Sequence, residues 1–280
     1  MDKNFDLPTR RHGSETIVAL HCSGWSAKQW RPLRAALGSR FEFLAPENYG
    51  CESRGDWHGR HAFTLADDAS LALEMIDRCG SQVHLIGHSY GGALALHIAL
   101  ARPEKIASLV LYEPCAYYLL RQIGIAGEQG ISEIMELNVF VRDQVAVGDY
   151  LAAMSSFVDY WNGYDAWDEL KPELQALMLR WAPKAPLEFH ALMEEPVLLS
   201  AYGELRTPVL LMRGEHTPAP TSAIAEALMQ RLPNCRMIDV SGAGHMGHVT
   251  HASDVHAAIF EHLADYAQGV GDEGQPRQAS

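Results

Sequence analysis

A short apolar run, Val83-His84-Leu85-Ile86, breaks at Gly87-His88-Ser89-Tyr90-Gly91-Gly92 and passes at once into helical sequence over 93–101. That order reads as a strand, a very tight turn and a helix, with Ser89 at the tip. A side chain two positions before or after such a tip would collide with the returning backbone, and glycine occupies both places, Gly87 and Gly91. A Gly-x-Ser-x-Gly pentapeptide alone occurs by chance. Between a buried strand pattern and a helix it marks an exposed nucleophile, against the plainer account of Ser89 as a helix N-cap. A serine hydroxyl attacks poorly at neutral pH, so it needs a base within hydrogen-bond reach, and the base needs an acid to orient it.

Those groups need a scaffold, and the composition supplies one. The chain has 280 residues, 48% of them hydrophobic, enough for one large core or a core with a smaller insertion. A formal net charge of −13 argues against nucleic acid and against a basic membrane-binding surface, because phosphates call for clustered Lys and Arg. A small-molecule substrate fits better. Cys22, Cys51, Cys79, Cys115 and Cys235 are odd in number and widely spaced, which suggests thiols in a reducing compartment and offers no zinc-ligand pattern. No metal or cofactor is expected. The start of the chain shows no signal peptide or apolar anchor, so a cytoplasmic location is the default expectation. A homodimer is left open.

Apolar strand patterns recur at 15–21, 41–46, 83–88, 106–112, 208–212 and 235–240, with helical spacing at 27–37, 65–79, 93–101, 221–232 and 255–266. Alternating strands and helices predict a mostly parallel α/β sheet flanked by helices, its strands covered on both faces. The alternation is interrupted after Glu113-Pro114. From there to about Tyr202 only helical patterns occur, at 131–147, 149–160, 172–181 and 187–193, with many aromatic residues. The expected organisation is a core over 14–115 and 203–266, a helical cap over 116–202, and flexible termini over 1–13 and 267–280, with at most a short edge strand in the first of these.

Three stretches taken together, Leu20-His21-Cys22-Ser23-Gly24, Gly87-His88-Ser89-Tyr90-Gly91-Gly92 and Gly244-His245-Met246, resemble the α/β-hydrolase superfamily, in particular its capped serine hydrolases. The resemblance spans roughly 15–266. It implies Ser89 as nucleophile and His245, in a glycine-bracketed loop after the last strand, as base; His248 and His251 lie close but lack that lead-in. It further implies an oxyanion hole built from the backbone N–H groups of Tyr90 and Ser23, although Cys22 stands where relatives carry glycine.

The acid departs from the commonest pattern. Where many relatives place an aspartate, this chain reads Gly214-Glu215-His216-Thr217. Glu113, at the end of the strand entering the cap, and Glu215 both remain candidates, with Glu113 preferred. Trp25 is expected to wall the acyl pocket. His88 flanks the reaction centre, placed with the substrate pocket or else held structurally by backbone hydrogen bonds, as is His21.

The resemblance implies hydrolysis of a carboxylic ester or similar acyl bond of a small, largely apolar substrate. Carbon–carbon bond hydrolysis, lactone opening and cofactor-free perhydrolysis use the same groups. An acyltransferase and a non-catalytic ligand-binding homologue also stay open, the latter because of Thr217. Haloalkane dehalogenase and epoxide hydrolase chemistry are disfavoured, since those relatives use an aspartate nucleophile.

Overall fold

A computed structural model describes residues 15–273, with side chains through residue 266. Six strands form one parallel sheet: β1 (Glu15–Leu20), β2 (Phe41–Leu44), β3 (Val83–His88), β4 (Ile106–Tyr112), β5 (Val209–Gly214) and β6 (Cys235–Val240), in the order β2-β1-β3-β4-β5-β6. β3 and β4 are buried along their whole length, as strands sandwiched between helices must be.

Successive residues of each strand point to opposite faces and feed two separate cores. Ile17 and Ala19 of β1 pack with Val110, Leu210 and Met212 beneath α1 (Arg31–Leu37) and the last helix. Val18 and Leu20 pack with Leu109 and Leu111 beneath α2 (Leu65–Arg78) and α3 (Tyr90–Ala101). α2 starts on a capping box in which Thr64 and Asp67 satisfy each other's backbone N–H groups.

The sheet order reverses direction beside β1, which has β2 on one side and β3 on the other. The loops leaving the carboxyl ends of β1 and β3 therefore diverge and open a crevice there, the usual binding place of open parallel sheets. Ser23 follows β1 and Ser89 follows β3.

Every regular element between β4 and β5 is helical among the described residues: α4 (Gly124–Val147), α5 (Tyr150–Asn162), α6 (Ala166–Glu169), α7 (Pro172–Trp181) and α8 (Ala185–Glu194), with short 3-10 turns between and around them. The chain then continues through β5, α9 (Ala219–Arg231), β6, α10 (Gly247–Thr250) and α11 (Ala252–Glu273).

Several boundaries differ from the sequence expectation, three of them with a clear physical reason. α3 begins at Tyr90 rather than near 93, because the chain turns into the helix directly after Ser89. α4 begins seven residues before the expected 131, through a glycine-rich stretch. A Cβ on Gly127 would lie 1.9 Å from the Leu120 carbonyl oxygen, so glycine there allows close helix packing. α11 runs past 266 to Glu273, with no proline to interrupt it. The expected flexible start at 1–13, with its edge strand, lies outside the described residues, as does 274–280. Among the described residues no helix is long and apolar enough to cross a membrane.

Candidate active site

Ser89 sits between the buried end of β3 and the first turn of α3 with φ 56° and ψ −119°. That conformation is strained for a residue with a side chain, costing on the order of 1–3 kcal/mol. Its surroundings hold it: Ser89 N–H donates to the Tyr112 carbonyl at 3.0 Å, and its own carbonyl accepts from Gly92, Ala93 and Cys115. The flanking glycines allow the contact. A Cβ at Gly87 would meet the Gly91 carbonyl oxygen at 2.3 Å, and one at Gly91 would meet the Leu20 carbonyl oxygen at 2.2 Å.

The sheet brings the partners from far along the chain. Ser89 Oγ lies 2.9 Å from His245 Nε2, and His245 Nδ1 lies 2.6 Å from Glu113 Oε2. The carboxylate can only accept, so Nδ1 carries the proton, Nε2 is left as acceptor, and the serine hydroxyl donates to it. Glu113 is fully buried at the end of β4 and also has positive φ, 45°. Gly214 N–H donates to its other oxygen at 2.7 Å, so β5 fixes the carboxylate while His245 uses it. Glu215 points elsewhere: it is exposed and accepts from Gly242 N–H at 2.8 Å and from the Ser241 hydroxyl.

Behind His245 two further imidazoles meet in the interior, their planes tilted at 46°. His88 Nε2–H donates to the His245 carbonyl at 2.9 Å, and the His88 and His248 rings lie 4.1 Å apart. His88 is wholly buried and lines neither cavity beside Ser89, so its placement with the substrate pocket is corrected: β3 alternation turns it away from the crevice to brace the histidine loop. Burial pushes the imidazolium of His88 well below its ordinary range and that of His248 down to about 3, leaving both neutral near neutral pH. His21 is likewise held by backbone. Its Nδ1–H donates to the Cys22 carbonyl and its Nε2 accepts from Asn48 N–H, and burial lowers it to about 4.

Of the two expected oxyanion donors, Ser23 lies at the crevice, while Tyr90 follows Ser89 directly and lines neither cavity beside it. Tyr90 is the first residue of α3, where backbone N–H groups have no partner within the helix. Ser23 lines the cavities beside Ser89. Cys22, in the glycine position, donates its backbone N–H to the Gln29 side chain at 3.1 Å.

Both hydroxyls end in one buried ionic chain. Tyr90 donates to Asp68 at 2.8 Å, and Lys184 bridges Asp68 (2.5 Å) and Glu188 (2.8 Å). Glu188 accepts from the Ser23 hydroxyl at 2.5 Å and from Trp181 Nε1–H at 2.9 Å. Burial raises Glu188, against the opposing pull of Lys184.

Lys184 and Glu188 carry no motif that would have singled them out. Two other neighbours were also missed. The Cys115 thiol lies 3.3 Å from Ser89 Oγ; burial pushes it up to about 12, so it stays protonated and donates. Trp161 from α5 stacks on His245. Cys115, two residues after Glu113, and Trp161, one of the aromatic residues of the expected cap, could have been suspected from sequence.

Ser89 opens on a cavity of about 760 Å³ lined by Trp25, Leu170, Met178, His245, Met246 and other residues. Among the described residues no Lys or Arg lines it.

Residues 17–258 match the α/β hydrolase family. The chain is 25% identical over 279 residues to a 2-hydroxy-6-oxononadienedioate/2-hydroxy-6-oxononatrienedioate hydrolase of Cupriavidus pinatubonensis, covering 90% of this chain and 88% of that protein. It is 24% identical over 236 residues to a pimeloyl-[acyl-carrier protein] methyl ester esterase of Nitrosomonas europaea, covering 82% and 88%. Among solved structures, an α/β-hydrolase enzyme from a Medee basin deep-sea metagenome library superposes with a TM-score of 0.74 at 18% identity, covering 97% of this chain and 94% of that one. That likeness concerns the fold alone.

Proposed function

The chain belongs to the α/β-hydrolase family, and from that premise we propose that it is a serine hydrolase cleaving a carboxylic ester or similar acyl bond of a small, largely apolar substrate through an acyl-enzyme. One observation carries the reading: the unbroken hydrogen-bond chain Ser89–His245–Glu113 at the floor of an apolar crevice.

In this mechanism Ser89 Oγ attacks the substrate carbonyl while His245 Nε2 takes its proton. Glu113 holds the imidazole and balances the imidazolium. The Tyr90 and Ser23 backbone N–H groups receive the developing oxyanion, each worth on the order of 3 kcal/mol. The carbon–oxygen bond to the leaving alcohol breaks as His245 returns the proton to that oxygen. Water, activated by the same imidazole, then releases the acid and restores Ser89. No metal or cofactor enters any step. The helices between β4 and β5 act as a cap, with Trp25 and Trp161 as walls of the substrate crevice.

The relative from Cupriavidus acts, by its name, on a diacid, and carbon–carbon bond hydrolysis on the same three residues is the alternative. A cavity lined without Lys or Arg, with His216 and His251 its only basic side chains besides His245 among the described residues, offers no permanent cation to a dicarboxylate, which favours the neutral ester. A non-catalytic role resting on Thr217 loses its motive, since the acid comes from β4. A fluorophosphonate probe tests the proposal: the wild-type protein should be labelled and Ser89→Ala should not. Absence of labelling in the wild type would sink it.

A further inference from the structure

Ser89 stands between two spaces of very unequal size. On one side is the cavity of about 760 Å³; on the other, a cavity of about 10 Å³ lined by Cys115, Tyr117, Trp181, Glu188, Phe189 and Leu192. The smaller is room for a single water- or methyl-sized group. Ser23, Ser89, Phe157 and Trp161 border both.

Which part of an ester enters which space follows from the proton path. The leaving oxygen receives its proton from His245 Nε2, so the alcohol portion must lie on the histidine side. His245, Met246 and Val249 line the large cavity and not the small one. The acyl portion, held with its carbonyl oxygen towards Ser23 and Tyr90, is directed to the opposite side, into the small space.

The walls of that space are braced. Phe189 is stacked with Tyr117 (centroids 6.3 Å apart, planes at 19°) and edge-on to Phe157. Glu188 is held by Lys184, Trp181 and Ser23 at once. Packed rings and a carboxylate held by three donors do not retreat cheaply for a longer chain.

We infer that the enzyme selects esters with a very short acyl group, of acetyl size, joined to a bulky, largely apolar alcohol. This deepens the proposed serine hydrolase and rests on it. Trp25, expected to wall the acyl pocket, then contacts the alcohol portion, because it lines only the large cavity of the two.

The test is kcat/KM on p-nitrophenyl acetate, butanoate and octanoate, together with ethyl acetate and 2-phenylethyl acetate, whose leaving alcohols are similar in acidity. Acetate should exceed octanoate by about 10- to 100-fold, and the phenylethyl ester should exceed the ethyl ester. Leu192→Ala, which enlarges the small space, should raise the octanoate-to-acetate ratio by about tenfold; Phe189→Leu serves the same purpose should the first variant fold poorly. Octanoate turned over as fast as acetate by the wild type, or a ratio unmoved by a folded enlarging variant, overturns the inference while leaving a serine hydrolase. No turnover of any ester, combined with no fluorophosphonate labelling of Ser89, would instead remove the reading beneath it.

Discussion

Trp161 lies nearly flat on His245, with ring centroids 3.9 Å apart and planes at 25°. The base is therefore clamped from three directions: Glu113 at one nitrogen, Ser89 at the other, and an indole face contributed by the helical insertion. An imidazolium formed during catalysis would meet the electron-rich face of that ring.

Replacing the indole should slow the reaction. Trp161→Ala is expected to lower kcat on p-nitrophenyl acetate by about 3- to 30-fold, and Trp161→Phe by less, in line with a cation–π contribution of about 0.5–2 kcal/mol. Steady-state kinetics on the three proteins checks this; equal kcat values would show that the stack is packing only.

The two candidate acids separate cleanly. Glu113→Gln should cut kcat by about 10⁴-fold, because an amide that can also donate no longer enforces the tautomer with a proton on Nδ1. Glu215→Gln should stay within about twofold, as expected of an exposed residue bonded to a loop N–H. Comparable losses in both variants would contradict this assignment.

Stability should fall in acid. An imidazole kept neutral by burial binds fewer protons in the folded than in the unfolded chain below pH 6.5. Its stabilising contribution is therefore complete above that value and is lost as pH drops towards the folded values of about 4 for His21 and about 3 for His248. Each such group gives a slope of about 1.4 kcal/mol per pH unit in that window. Urea midpoints at pH 7.5 and 5.5 measure it, and His248→Leu should flatten the dependence. A midpoint that does not move with pH would refute the account.

Removing the bridging cation should be costly. Lys184→Met leaves Asp68 and Glu188 buried without their shared partner, at about 3–5 kcal/mol. Denaturant unfolding should show this loss, and adding Asp68→Asn to Lys184→Met should recover part of it. An unchanged midpoint in the single variant would mean that the network is energetically silent.

The turn around Ser89 is legible in the sequence because its constraints are local: a strand, a helix and two places where only glycine fits. His245 is legible from its glycine-bracketed loop for the same reason. The choice between Glu113 and Glu215 is not. β4 and β5 are neighbours, so both candidates reach the same sheet edge, and the outcome turns on the backbone at Glu113, whose positive φ carries the carboxylate to His245. Lys184 and Glu188 leave no sequence signal at all, and Trp161 stands in the sequence only as one of the many aromatic residues of the helical insertion. Glu188 reaches Ser23 across 165 positions, and only the packing of the insertion on the core brings them together. The early start of α4 was hidden by glycines that serve close packing rather than a loop.

Ser89 and Glu113, the first and last members of the hydrogen-bonded chain, are two of three non-glycine residues with positive φ among the described residues. Each keeps a conformation that glycine would adopt at ease. Glycine at either position would relax the backbone while removing a member of that chain. On the proposed serine-hydrolase reading, directed evolution selecting for heat resistance alone would tolerate glycine there and return folded, inert proteins; only selection that also demands turnover keeps the strain in place.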